Sequence, residues 1–310
     1  MQKRNLKFVA ALLFMVSLFS MTAMSAAAAQ IAPNSLGEMN VNLDVDGREY
    51  MHLKGISNKG LWNYSRPNVY IGGREISVKG VIINGVSYIP FRAAASTISG
   101  SSYSYDSSTR TSTMKAPGLE IVASDGCYVT YANGRALFNT TPNVIMSDGR
   151  IYIPASVFTK AVGMTLNATS SNIGLTGSFR PLEHADRFYR SDEVFWLARI
   201  IHAESRGESL LGQIAVGGVV LNRVKSAYYP NTIYGVIFDR KYGVQFSPVL
   251  DGTIYNTPGY SATLAAKICL EGYDVTGGAF FFLNTALATS SWIPRNRPYA
   301  FTIGNHDFYK

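Results

Sequence analysis

A short block ending in Tyr-Ile-Pro occurs twice, and it limits what the chain can fold into more than any other feature. Val81-Ile82-Ile83-Asn84-Gly85-Val86-Ser87-Tyr88-Ile89-Pro90 is echoed by Val144-Ile145-Met146-Ser147-Asp148-Gly149-Arg150-Ile151-Tyr152-Ile153-Pro154, with Tyr88 and Tyr152 64 residues apart. Each copy is an apolar run broken by Asn-Gly or Asp-Gly, the pairs that best accommodate a tight hairpin turn. Each is followed by a helix-compatible stretch, residues 91–98 and 155–162, and then by a glycine able to end it. Alternating runs at 41–45 and 128–131, with further turn pairs at Asp46-Gly47, Gly72-Gly73 and Asn133-Gly134, make residues 30–180 a strand-rich region with an internal repeat.

Residues 1–29 are patterned differently. Lys3, Arg4 and Lys7 precede an apolar run over 8–19, and Ala27-Ala28-Ala29 offers small residues to a signal peptidase, so cleavage is expected before Gln30. The alternative is an uncleaved anchor; Ser17, Ser20, Thr22 and Ser25 argue against it by interrupting the run. The mature protein is then expected outside the cytoplasm. With 47% hydrophobic and 15% charged residues, the chain is too apolar for a disordered tail and too sparsely charged for a coiled coil. Its formal charge of +8 is spread without a basic stripe, which excludes a nucleic-acid partner. Such an excess suits an anionic polymer or simply solubility. Cys127 and Cys269 form no C-x-x-C, so neither a disulfide framework nor a Cys-based zinc site is possible, and both are read as buried thiols.

After a charged segment at 178–190 containing Pro181, read as a linker, the period becomes helical. Ser191 is placed as an N-cap with Asp192 and Glu193 in the first turn. Val194, Leu197, Ile201 and Glu204 then follow at helical spacing, which puts Glu204 at the end of an apolar face. Desolvation there raises a carboxyl pKa, as a general acid at neutral pH requires. The competing reading is an ion pair with Arg199 or Arg206. A second helix fits Leu211, Ile214, Ala215, Gly218, Val219 and Asn222, with Gly217-Gly218 expected to let another backbone approach closely. A short helix over 232–238, a third long helix capped by Ser261 and ending at Gly272, and strands over 278–283 and 301–309 complete the region. There is no His-Glu-x-x-His, which argues against a metallo-amidase, and neither metal nor cofactor is expected.

Asn84-Gly85, Tyr88-Ile89-Pro90 and Arg92, with Asp148-Gly149 and Tyr152-Ile153-Pro154, resemble the copper amine oxidase N-terminal domain found as a paired repeat in bacterial surface proteins. The second copy departs from that pattern, having Ala155-Ser156 where an arginine would stand. The resemblance implies a noncatalytic stalk or wall-binding module. It carries no copper, because the only histidine of the region is His52. The run His202-Ala203-Glu204-Ser205-Arg206-Gly207-Glu208, followed by Gly212-Gln213-Ile214-Ala215-Val216-Gly217-Gly218-Val219-Val220-Leu221-Asn222-Arg223-Val224 and later by Thr302-Ile303-Gly304-Asn305-His306, resembles the cell-wall hydrolase family that includes the spore-cortex-lytic enzymes.

The pattern of elements is α+β, a β-rich repeat domain (30–180) preceding a mainly helical domain with a small sheet (181–310), and the second resemblance implies that the latter is lysozyme-like and catalytic. It implies cleavage of the N-acetylmuramic acid to N-acetylglucosamine bond in peptidoglycan by lytic transglycosylation, with Glu204 as the single catalytic acid. A conventional muramidase would need a second carboxylate, for which Glu208, Asp239 and Asp251 are available. Phe246, Ser247, Tyr255 and Asn284 are expected to bind the glycan strand through aromatic faces and hydrogen bonds. His306 is expected to be structural. The rival function is an inactive wall-binding surface or coat protein; spore cortex and vegetative wall both remain open as substrate.

Overall fold

The computed structural model describes residues 64–310 apart from 84, 140–143, 146–148, 242 and 289–290, together with the backbone of two paired strands, Met39–Leu43 and Glu49–Leu53. The expected export signal lies outside the described residues.

The two Tyr-Ile-Pro triplets lie on adjacent antiparallel strands, Val86–Pro90 and Ile151–Pro154, in the register Tyr88 to Pro154, Ile89 to Ile153 and Pro90 to Tyr152. These are the centre of a five-stranded sheet whose other members are Val144–Ile145, Val81–Ile83 and Tyr64–Ser65. Each triplet leads directly into a helix, α1 (Phe91–Ala95) or α2 (Ala155–Val162), since proline can occupy the position before a first turn without forfeiting a needed N–H. A five-stranded meander follows α1, formed by Ser102–Asp106, Thr111–Ala116, Leu119–Ser124, Val129–Ala132 and Arg135–Phe138. A third sheet pairs Asn172–Thr176 in parallel with Asn68–Ile71, tying the end of this region to its start. Ile89, Ile121, Ile153, Ile173 and Leu175, which strand alternation points to one interior, are fully buried together with Phe91 of α1 and Phe158 of α2.

The region from 181 onward is mainly helical: α3 (Ala185–Phe188), α4 (Ser191–Ser205), α5 (Leu210–Lys225), α6 (Ile233–Ile237), α7 (Pro248–Asp251), α8 (Tyr260–Leu270) and α9 (Trp292–Asn296). Helix α4 starts one residue earlier than expected: its cap is Arg190, Ser191 is already helical, and Arg190 reaches forward to Asp192. Helix α8 starts at Tyr260 after Gly259, so Ser261 does not cap it. Helix α5 is capped by Ser209, whose side chain accepts from the Gly212 N–H at 3.2 Å. Helices α4, α5 and α8 pack against one another around Gly217, where an added Cβ would stand 2.8 Å from both Ile201 Cδ1 and Cys269 Sγ. The close approach is thus made by side chains of the two neighbours rather than by backbone. A sheet of Phe281–Leu283, His306–Tyr309 and Tyr299–Ile303 covers the other face of α5. Among the described residues no helix is long and apolar enough to cross a membrane.

Segment 178–190 does not hang free. Arg180 and Leu182 donate backbone hydrogen bonds to Val162 and Ala161, Ala185 donates to Asn133, and Tyr189 is buried. The meander and the helices share apolar core: Tyr128, Val129 and Ala136 cluster with Leu197, Ile201, Leu264 and Ile268. At this seam the Glu271 carboxylate, capping α8, accepts from Arg135 Nε and Nη2, both at 2.8 Å, and from the Tyr189 hydroxyl at 2.8 Å. Lys160 Nζ completes its surroundings at 2.9 Å.

Candidate active site

Leu197, Ile200 and Ile201 turn the inner face of α4 into the core and are fully buried. Glu204, one turn past Ile200, stands at the margin of that face and opens into a cleft of 1530 Å³. The cleft is walled by the α4–α5 loop with Arg206 and Glu208, by Arg223 of α5, by Tyr229, by Gln245, Phe246 and Ser247, and by the aromatic run Phe280, Phe281 and Phe282. Asn284, Trp292 and His306 also line it. Of the residues expected to bind glycan, the structure therefore places Phe246, Ser247 and Asn284 in the same cleft as Glu204. Tyr255 stands apart: it is exposed, outside the cleft lining, and its ring lies 6.4 Å from Trp196.

Burial, reinforced by the negative charge of Asp251, pushes the Glu204 carboxyl up to about 7 against the opposing pull of Arg223. At neutral pH such a group is present in both protonation states and can give a proton and take one back. No described residue donates a hydrogen bond to it or forms an ion pair with it. The structural pairing with Arg199 does not occur: that guanidinium lies 3.6 Å from the Phe195 ring centroid, and its Nε is buried without a partner.

The three other carboxylates differ in how far they are occupied. Glu208 is held by the turn between the last two strands, accepting from Asn305 N at 3.1 Å and Asn305 Nδ2 at 2.9 Å. Gly304 of that turn has φ +57, and an added Cβ would collide with the Glu208 carboxylate. Asp239 accepts from the Lys241 N–H. Asp251 accepts from the backbone and hydroxyl of Thr253, which hold its carboxyl below the usual range and hence ionised. His306 is buried beside Glu208, 3.7 Å from Oε1, and desolvation holds its pKa down. His202 points away from the cleft and accepts from Gly259 N at 3.2 Å. Among the described residues no cluster could hold a metal ion.

The cleft thus combines a carboxyl raised to about 7 with aromatic walls and a second carboxylate, Glu208, tied to Asn305. Residues 207–309 match the family model described as Cell Wall Hydrolase, beginning just after Glu204, and residues 70–174 match that of the Copper amine oxidase N-terminal domain. The C-terminal region is homologous to spore cortex-lytic enzymes. It is 44% identical over 122 residues to that of Bacillus cereus, covering 39% of this chain and 46% of the relative, and 37% identical over 120 residues to that of Bacillus subtilis, covering 39% and 38%. The chain thus spans half or less of the curated relatives it matches. A solved catalytic domain of the germination-specific lytic transglycosylase SleB from Bacillus anthracis is 44% identical, with 39% of this chain and 97% of that chain covered at a TM-score of 0.36.

Proposed function

We propose that this chain is an exported lytic transglycosylase that cleaves the bond between N-acetylmuramic acid and N-acetylglucosamine in peptidoglycan, with spore cortex at germination as its setting. The observation that carries the reading is the Glu204 carboxyl, raised to about 7 and without a hydrogen-bond donor among the described residues, in a cleft walled by aromatic rings. The likeness to spore cortex-lytic enzymes supports the substrate class. In the first half of the reaction the Glu204 proton passes to the glycosidic oxygen as the C1–O bond breaks, leaving a Glu204 carboxylate and an oxocarbenium-like muramyl ring. In the second half the muramic C6 hydroxyl attacks C1 and returns its proton to Glu204. The product is a 1,6-anhydro end, no water is consumed, and the acid is regenerated. Phe246 offers a ring face to the sugar, while Ser247 and Asn284 offer hydrogen bonds.

On this reading residues 181–310 are the catalytic domain, lysozyme-like in its reliance on one acid at a helix end. The 30–180 region is a duplicated, noncatalytic module that associates with wall or coat, and residues 1–29 are removed on export. A second reading, hydrolysis, is favoured by one observation: among the alternative carboxylates it is Asp251 whose charge acts on Glu204. Mass spectrometry of digests of purified cortex and vegetative sacculi separates the two. Transglycosylation predicts muropeptides lighter by one water and resistant to borohydride. Reducible ends carrying oxygen from labelled water would replace this mechanism with hydrolysis, and intact sacculi would leave a wall-binding protein.

A further inference from the structure

Arg223 is only 4% exposed, yet it lines the same cleft as Glu204. Its Nε donates to the Phe280 carbonyl at 2.8 Å and its Nη1 to Gln245 Oε1 at 3.4 Å. The rings of Phe246, Tyr229 and Phe281 stand 5.1, 5.2 and 5.4 Å from the guanidinium carbon. A desolvated cation is costly unless a carboxylate is paired with it. Here none of the described carboxylates is hydrogen-bonded to it, and Asp239, whose charge reaches it, is committed to Lys241 N. The protein has built an aromatic and carbonyl cage around a positive charge that no described carboxylate pairs with directly, in the wall of a cleft where proton donation creates a new negative one.

We propose that Arg223 is a positioning residue for this reaction, its fixed cation stabilising the Glu204 carboxylate formed as the proton leaves for the glycosidic oxygen. This rests on Glu204 being the acid. The other charges acting on Glu204 and Arg223, or lining the same cleft, are Asp251 from α7, Asp239 after α6, Glu208 and Arg206 from the α4–α5 loop, Lys241, Arg297, Lys310 and His306. Asp251 works against the new carboxylate, and Glu208 is bound to Asn305, so Arg223 is the caged cation whose attraction is felt at Glu204. A preorganised charge of this kind acts without reorganisation at the moment of bond cleavage.

The test uses the full mature chain with Arg223→Gln, which keeps a donor for the Phe280 carbonyl and removes the charge, and Arg223→Lys, which keeps the charge and removes the fork. Carbon-13 NMR of labelled glutamate side chains follows the Glu204 titration, assigned with Glu204→Gln, while kcat and KM are measured against pH on solubilised glycan strands. The expected result for Arg223→Gln is a Glu204 titration moved up by about one pH unit. The alkaline limb of kcat should move with it, and kcat should fall about 10²-fold with little change in KM. Arg223→Lys should return both toward wild type. An unmoved Glu204 titration in folded Arg223→Gln, or a loss confined to KM, overturns the proposal. If Arg223→Gln does not fold, a folded but inactive Arg223→Lys with normal Glu204 titration overturns it equally. Normal clearing by Glu204→Gln would instead remove the acid assignment itself, which the titration does not depend on.

Discussion

Glu204 and Glu271 invite comparison because they stand near the C-terminal ends of two packed helices and end in opposite states. Each stands at the C-terminal end of its helix, α4 or α8, where the helix dipole is unfavourable to a carboxylate, and burial raises both. At the seam that penalty is outweighed by hydrogen bonds from Arg135, Lys160 and Tyr189, which hold Glu271 below its ordinary value. In the cleft the described residues offer Glu204 no donor, and Asp251 adds to the penalty. The number of donors within reach decides whether a buried glutamate holds two regions together or holds a proton.

The largest effect expected from this difference is on turnover. Glu204→Gln should reduce sacculus clearing by about 10²–10⁴-fold without loss of the folded state, as judged by circular dichroism; the same change at Glu208 should cost much less. Next in size, Glu271→Ala strips a carboxylate from buried Arg135 and should lower unfolding free energy by about 3–5 kcal/mol, measured by urea titration, with near-normal clearing by the molecules that stay folded. Because Glu271 is held low, the stability it contributes is present at neutral pH and should fade on acidification below the ordinary glutamate range. In a fragment of residues 181–310, which lacks Arg135 and Lys160, the Glu271→Ala cost should largely vanish.

The pH dependence of Glu204 runs the other way. A carboxyl raised to about 7 costs stability progressively as pH rises from the ordinary glutamate range to that value, because only the unfolded chain loses the proton there. Glu204→Gln should therefore melt higher than wild type at pH 8, by the equivalent of about 1–3 kcal/mol, and match it near pH 4. An unchanged melting temperature at pH 8 would break the contrast between the two glutamates. Smallest is Tyr131→Phe, which removes the 3.2 Å hydroxyl contact with Tyr260 at the exposed rim of the seam. It should cost no more than about 1 kcal/mol.

Much of the helical region was legible because its information is local. The spacing of Leu197, Ile201 and Glu204 defines α4 and brings the acid to the edge of its buried face, and the apolar stripe with Gly217 defines α5. What escaped was set by partners distant in sequence. The surroundings of Arg223 come from Phe280, Phe281 and Phe246, which meet it only once the chain is folded. Glu271 finds its partner Arg135 136 residues earlier in the chain. Tyr255 was drawn to the cleft by residue type alone, whereas the 3₁₀ turn at Thr253–Tyr255 directs its ring toward Trp196.

The two cysteines acquire a use from where they lie. Cys127 sits in the strand-rich region, and Cys269 of α8 packs against Gly217 of α5; both are buried and neither is in a disulfide, and burial pushes the Cys269 thiol far up. A thiol that is neither exposed nor ionised is modified only while its surroundings are open. The chain therefore carries one natural chemical clock in each half, and the two labelling rates, read by mass spectrometry of the separate peptides, would time how often each half opens and whether they open together.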